Sequence, residues 1–176
     1  MQSQNKKDQR QMELEDKDIN IIFKPQIGLG KILFSFQEED IITLLGIPEE
    51  KEIDVFNDLE YAIHLYYHRF KIYPSIYYEN NKFDYLSIST EDLILDNIKF
   101  STLKKKEILK FIEDYHKSHE IVFSMEKEYD KIVNEYFYNY ENIGLSIWFE
   151  DSLISDICVQ KIRTAETNDE KDAINT

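Results

Sequence analysis

The five residues Ser75-Ile76-Tyr77-Tyr78-Glu79 return 71 positions later as Ser146-Ile147-Trp148-Phe149-Glu150. No other feature constrains the fold of this chain as much. The same offset sets Tyr66-Tyr67 on Phe137-Tyr138, Ile72 on Ile143, and Leu86 and Ile88 on Ile157 and Val159, without a gap. Upstream, ILFSFQEEDIITLL (32–45) resembles IKFSTLKKKEILKFI (98–112), with one residue inserted in the later stretch. Self-similarity held over successive segments marks a duplicated unit. The sequence therefore predicts two modules, about 27–95 and 96–160, within a single domain at 19–160. Polar tails at 1–18 and 161–176 flank it.

Each module has the same predicted order. A short I-x-F strand leads into an amphipathic helix: Gln37–Leu45 in the first module, with Ile41, Ile42, Leu44 and Leu45 apolar and Gly46 as a stop, and Leu103–Tyr115 in the second, with Ile108, Leu109, Phe111 and Ile112 in the equivalent places. An acidic loop follows (48–58 in the first module), then three β segments: 59–68, 72–79 and 83–89, matched by 130–139, 143–150 and 154–160. ENNK (79–82) and EDS (150–152) are turn chemistry, so the last two segments of each module should form hairpins. Residues 118–129 fit either a helix or a strand. The expected fold class is α+β: two tandem strand–helix–antiparallel-meander modules sharing one broad antiparallel sheet, with both helices on one face.

Side chains alternate across a strand. Ile76, Tyr78, Ile147 and Phe149 therefore point one way, with Leu86, Ile88, Ile157 and Val159, and this aliphatic side must face the helices. The other side carries Tyr77, Tyr85 and Trp148 beside Glu79, Glu150 and Asp156. One parity of the first β segment adds His64, Tyr66, His68, Glu135 and Phe137. Aromatics can pair across an exposed sheet simply to stabilise it. Clustered with carboxylates in an acidic chain, they read instead as a surface for a basic protein partner. Tyr66, Tyr77, Glu79, Tyr85, Glu135, Trp148, Glu150 and Asp156 are the candidate partner-binding residues.

The chain has 35 acids and 21 bases, for a net charge of −14, and −12 of this lies between residues 19 and 160. Such a field repels phosphate backbones and anionic lipid, so neither nucleic acid nor membrane is an expected partner, whereas a basic protein is drawn in. The single Cys158 cannot close an internal disulfide, and the first 18 residues hold no apolar run, which together predict a cytoplasmic protein.

The stretch GLGKILFSFQEEDIITLLGIPEE, followed later by GLSIWFE, resembles the β-lactamase-inhibitor-protein-like fold and the small immunity proteins of bacterial toxin systems. The likeness spans about 27–160. The second module lacks the Gly-Leu-Gly turn and the L-L-G-x-P ending, and the disulfides of the secreted inhibitor are missing, which favours a cytoplasmic immunity role. The resemblance implies a protein inhibitor that neutralises a cognate toxin by covering its active site. It marks no contact residues. The alternative is a non-inhibitory interaction or envelope-assembly module on the same repeat.

Catalytic signals are weak. His64 and His68 share a face, and His116 and His119 lie at a helix end, but no Cys cluster or HExxH context makes them zinc ligands. Gly28-Leu29-Gly30 is not followed by the glycine and helix of a dinucleotide loop, and no G-x-S-x-G or P-loop occurs. Cys158, in an alternating strand among acids, reads as a packing residue. No enzyme activity, metal or cofactor is expected.

Overall fold

A computed structural model describes residues 21–162. The polar tails expected at 1–18 and 161–176 lie outside the described residues, apart from Lys161 and Ile162. The fold is α+β. Three two-residue strands, β1 (Phe23–Lys24), β2 (Gly28–Leu29) and β3 (Ile32–Leu33), form a small antiparallel sheet ahead of helix α1 (Glu38–Leu45). Four strands follow: β4 (Glu50–Val55), β5 (Glu60–Tyr66), β6 (Ile72–Glu79) and β7 (Lys82–Thr90). A short hairpin, β8 (Ile94–Leu95) and β9 (Ile98–Lys99), leads through a 3₁₀ turn to helix α2 (Lys105–Ser118). The chain ends in β10 (Glu126–Asp130), β11 (Glu135–Tyr140), β12 (Leu145–Glu150) and β13 (Leu153–Gln160).

These last two sets of four strands make one eight-stranded antiparallel sheet in the order β10-β11-β12-β13-β7-β6-β5-β4. Each set is a meander, and the two meet through β13 and β7, where Val159 lies opposite Ile88. The predicted hairpins are β6–β7 and β12–β13. Each carries a bulge, one at Tyr77/Tyr78 and the other at Trp148/Phe149, which bends the strand and increases the local twist.

The predicted helices are displaced only at their ends. In α1, Asp40 Oδ2 accepts the Gln37 backbone N–H at 3.0 Å, and in α2 Glu107 Oε2 accepts that of Lys104 at 2.8 Å. Both satisfy a helix-start donor with an acid three residues on. The second helix runs to Ser118 rather than Tyr115, and His116 is fully buried inside its last turn. Ile41, Leu45, Ile108 and Ile112 join one buried cluster with Ile63, Leu65, Ile76, Leu86, Ile147, Phe149, Ile157 and Val159. The helices thus cover the aliphatic face of the sheet, the arrangement that apolar burial favours. Leu44, expected on the apolar side of α1, is exposed.

Two expectations need correction, and one ambiguity is resolved. Residues 50–55 are a strand, not a loop. The segment 130–139 is two strand ends around a turn: β10 closes at Asp130 and β11 opens at Glu135. The ambiguous 118–129 resolves into the end of α2, an irregular stretch and β10. The cause is common to all three. Both β4 and β10 are sheet edges with every residue exposed, so neither has the buried half that writes an apolar alternation into a strand.

Candidate functional site

The face turned away from the helices is the candidate site. Alternation along the observed strands places Tyr66, Tyr77, Glu79, Tyr85, Glu135, Trp148, Glu150 and Asp156 all on it, with His64 and Phe137. His68 sits in the turn after β5, its ring 5.9 Å from that of Tyr66 and 5.7 Å from that of Tyr73. Phe149, Ile76 and Ile147 are fully buried on the helix side, and Tyr78 is partly buried there, stacked on Tyr61 at 4.7 Å.

Two aromatic pairs stand on this open face. Tyr77 stacks on Tyr85, centroids 4.2 Å apart and nearly parallel, and Phe137 packs on Trp148 at 4.8 Å. Each joins residues directly opposite on adjacent strands, so part of their role is cross-strand stabilisation. Tyr73, also on this face, was not singled out from the sequence. Its ring lies 6.2 Å from that of Tyr66.

Carboxylates stand opposite one another on this face. Glu135 lies directly opposite Glu150 on one side and Asp130 on the other, giving three acids in line across β10, β11 and β12. In the other half Glu60 lies directly opposite Glu79. Like charges at directly opposed positions destabilise a sheet. Asp130 and Glu135 border a shallow depression of about 590 Å³ that Glu128, Lys131, Phe137 and Trp148 also line. A second depression, of about 460 Å³, is bounded by His64, Tyr66, His68, Tyr73, Ser75 and Asp156. Asp156 is half-buried, and burial holds its carboxyl above the ordinary range; the Ile157 N–H and Ser89 oppose that rise, while Glu135 and Glu91 add to it. Burial likewise pushes the Cys158 thiol up to about 11, so it is not poised as a thiolate.

The edge strands supply functional candidates from segments that the sequence reading took for loop (48–58) or left between helix and strand (118–129). On β4, Glu50, Glu52 and Asp54 face the same way as Tyr66 and His64; on β10, Glu126, Glu128 and Asp130 face the same way as Phe137. The signal was present as EKEID (50–54) and EKEYD (126–130), with acids at alternate positions. The Tyr66 hydroxyl donates to Glu52 at 2.8 Å, which raises the phenol's pKa. His64 Nδ1 pairs with the Ser75 hydroxyl at 2.8 Å and its Nε2 lies 3.3 Å from Asp54, while His68 lies 3.7 Å from Glu50. The histidines thus attach aromatic centre to acidic edge. His116 is held in the core, with its Nδ1 2.8 Å from the Ile112 carbonyl. Among the described residues no three His, Cys, Asp or Glu side chains converge as a metal site, and no helix is long and apolar enough to cross a membrane.

The open face is therefore an aromatic floor with a carboxylate row on each outer strand, the rows about 34 Å apart at the usual strand spacing. Chemically it suits cationic side chains, which would relieve the opposed acids while aromatic rings supply contact area. Comparison of the chain with protein-family models, with curated proteins and with solved structures finds no match.

Proposed function

We propose that the chain is a cytoplasmic immunity protein of the β-lactamase-inhibitor-protein-like type, which binds a basic bacterial toxin through the open sheet face and blocks its active site. The carrying observation is the line Asp130–Glu135–Glu150 beside Phe137 and Trp148: three carboxylates set opposite one another on adjacent strands. Asp130 also accepts the Ile132 N–H in the turn between β10 and β11, but the opposition of like charges does not stabilise the sheet, and a partner bringing Lys or Arg would neutralise it on binding. A basic nuclease is the toxin class this charge suits, because acids repeated at every second strand position present a row of negative charge in place of a nucleic-acid backbone.

A tandem duplication accounts for the paired features. Each helix precedes four strands, each central hairpin bulges at the corresponding residue, each half opposes two glutamates, and each outer strand reads E-K-E-x-D. Duplication gives a face with two similar aromatic–acidic halves.

The test is co-expression with toxin domains encoded beside its gene. The expected result is rescued growth and a co-purifying complex, weakened by Trp148→Ala and by Glu135→Lys. Failure of the chain to rescue growth from any neighbouring toxin would overturn the reading.

A further inference from the structure

Strand β4 closes one side of the sheet, and its two rows of side chains are unlike. Glu50, Glu52 and Asp54 form the open-face row. Lys51, Ile53 and Val55 form the helix-side row, where Lys51 reaches Glu38 of α1 at 2.5 Å. Helix α1 does not cover the rest of that row: Ile53 is 56% exposed and Val55 71%. The Phe56 N–H donates to the Glu60 carbonyl, so the residues at 54, 52 and 50 turn their backbone groups toward β5. By alternation, Lys51, Ile53 and Val55 turn theirs outward, and among the described residues no strand lies beyond them.

We propose that this edge is an acceptor for a ninth strand, supplied by an extended segment of a partner in which Lys or Arg alternates with aliphatic residues. Backbone hydrogen bonds to Lys51, Ile53 and Val55 would hold the segment. Its cations would lie along Glu50, Glu52 and Asp54, and its aliphatic residues would cover Ile53 and Val55. A second copy of this chain is the wrong occupant. Every in-phase antiparallel pairing of β4 with itself sets the acidic row against an acidic row, which charged edges exist to prevent. The opposite edge is less suited, because the helix-side residues of β10 are Lys127 and Tyr129, and Lys127 already lies 4.9 Å over the Tyr136 ring.

Only the positive charge of the partner is shared with the toxin-binding role of the open face. The ninth strand is tested with synthetic peptides, so its failure leaves toxin binding by the open face standing. The full chain is titrated with an eight-residue capped peptide alternating Lys and Val, and with a peptide of the same composition in the order Lys-Lys-Val-Val. Amide exchange is read residue by residue. The expected result is at least tenfold tighter binding of the alternating peptide, with exchange slowed at Lys51, Ile53 and Val55. Ile53→Pro removes only an outward N–H, a position at which edge strands accept proline, and should abolish the preference. Should that variant not fold, Glu52→Lys combined with Asp54→Lys tests the same point: preference should pass to a peptide alternating Glu and Val. Equal binding of the two orders, no binding of either, protection on β10 instead of β4, or a dimer of the chain that protects β4 without peptide would each overturn the proposal.

Discussion

Trp148 and Phe149 are neighbours on one strand with opposite surroundings. Phe149 is fully buried, edge-on to Tyr138 at 5.6 Å, whereas Trp148 lies on the open face against Phe137. Phe149→Ala should therefore cost about 3–5 kcal/mol in urea unfolding. Trp148→Ala should leave folding nearly intact and lose roughly 2 kcal/mol or more of partner affinity, read by calorimetry. Asp156 carries a pH signature. Its folded pKa is raised by burial above the ordinary 3.8. The stability linked to it is present in full below the unfolded pKa and is lost as pH rises through the folded one. Ionised Asp156 is thus a cost at neutral pH. Asp156→Asn should raise the urea midpoint relative to wild type at pH 7, and the gain should shrink as pH falls toward 3.8. A gain independent of pH would assign the effect to packing instead.

Among the elements, the central hairpins were legible because each has one buried face. The alternation in SIYYE and SIWFE sorts core from open face, and the observed pairing of Tyr77 with Tyr85 and Phe137 with Trp148 follows it. The outer strands were not legible as strands, since burial writes nothing into a segment exposed on both faces. Their acids alternate all the same, and EKEID repeated as EKEYD was the trace left to find. The turn into β12 depends on one glycine. Gly144 has φ +66°, and a Cβ there would come within 2.1 Å of the Gln160 carbonyl oxygen, whose own residue donates its N–H to the Gly144 carbonyl at 2.9 Å. Gly144→Ala must shift backbone as well as strain φ, so it should cost well over about 1 kcal/mol and lower the thermal midpoint. An unchanged midpoint would mean that β13 can move away freely.

For the molecule as a whole, stability and binding are set against each other on the open face. Glu150→Gln removes one charge from the Asp130–Glu135–Glu150 line. The free protein should gain about 0.2–1 kcal/mol, seen as a higher urea midpoint, while association with a basic toxin slows and depends less on salt. A variant that loses stability would show that the acids are held by interactions other than mutual opposition. The net charge of −14 gives the direction of the long-range effect: association should slow steeply as ionic strength rises.

The sequence by itself determined which side of each central strand is core, because pleating is a local property and apolar burial acts on every second residue. It also determined the two helices, whose apolar stripes and first-turn acids are written within a few residues. Only the tertiary structure decided how the two meanders join. Joining β7 to β13 sets Cys158 opposite Ser89 and carries Asp156 to the depression that holds Tyr73. The same joining sends β4 and β10 to the outside. Those pairings are hydrogen bonds between segments remote in the chain, and no local preference encodes them. The closing of the sheet in that order turns two alternating acidic segments into the opposite edges of one face.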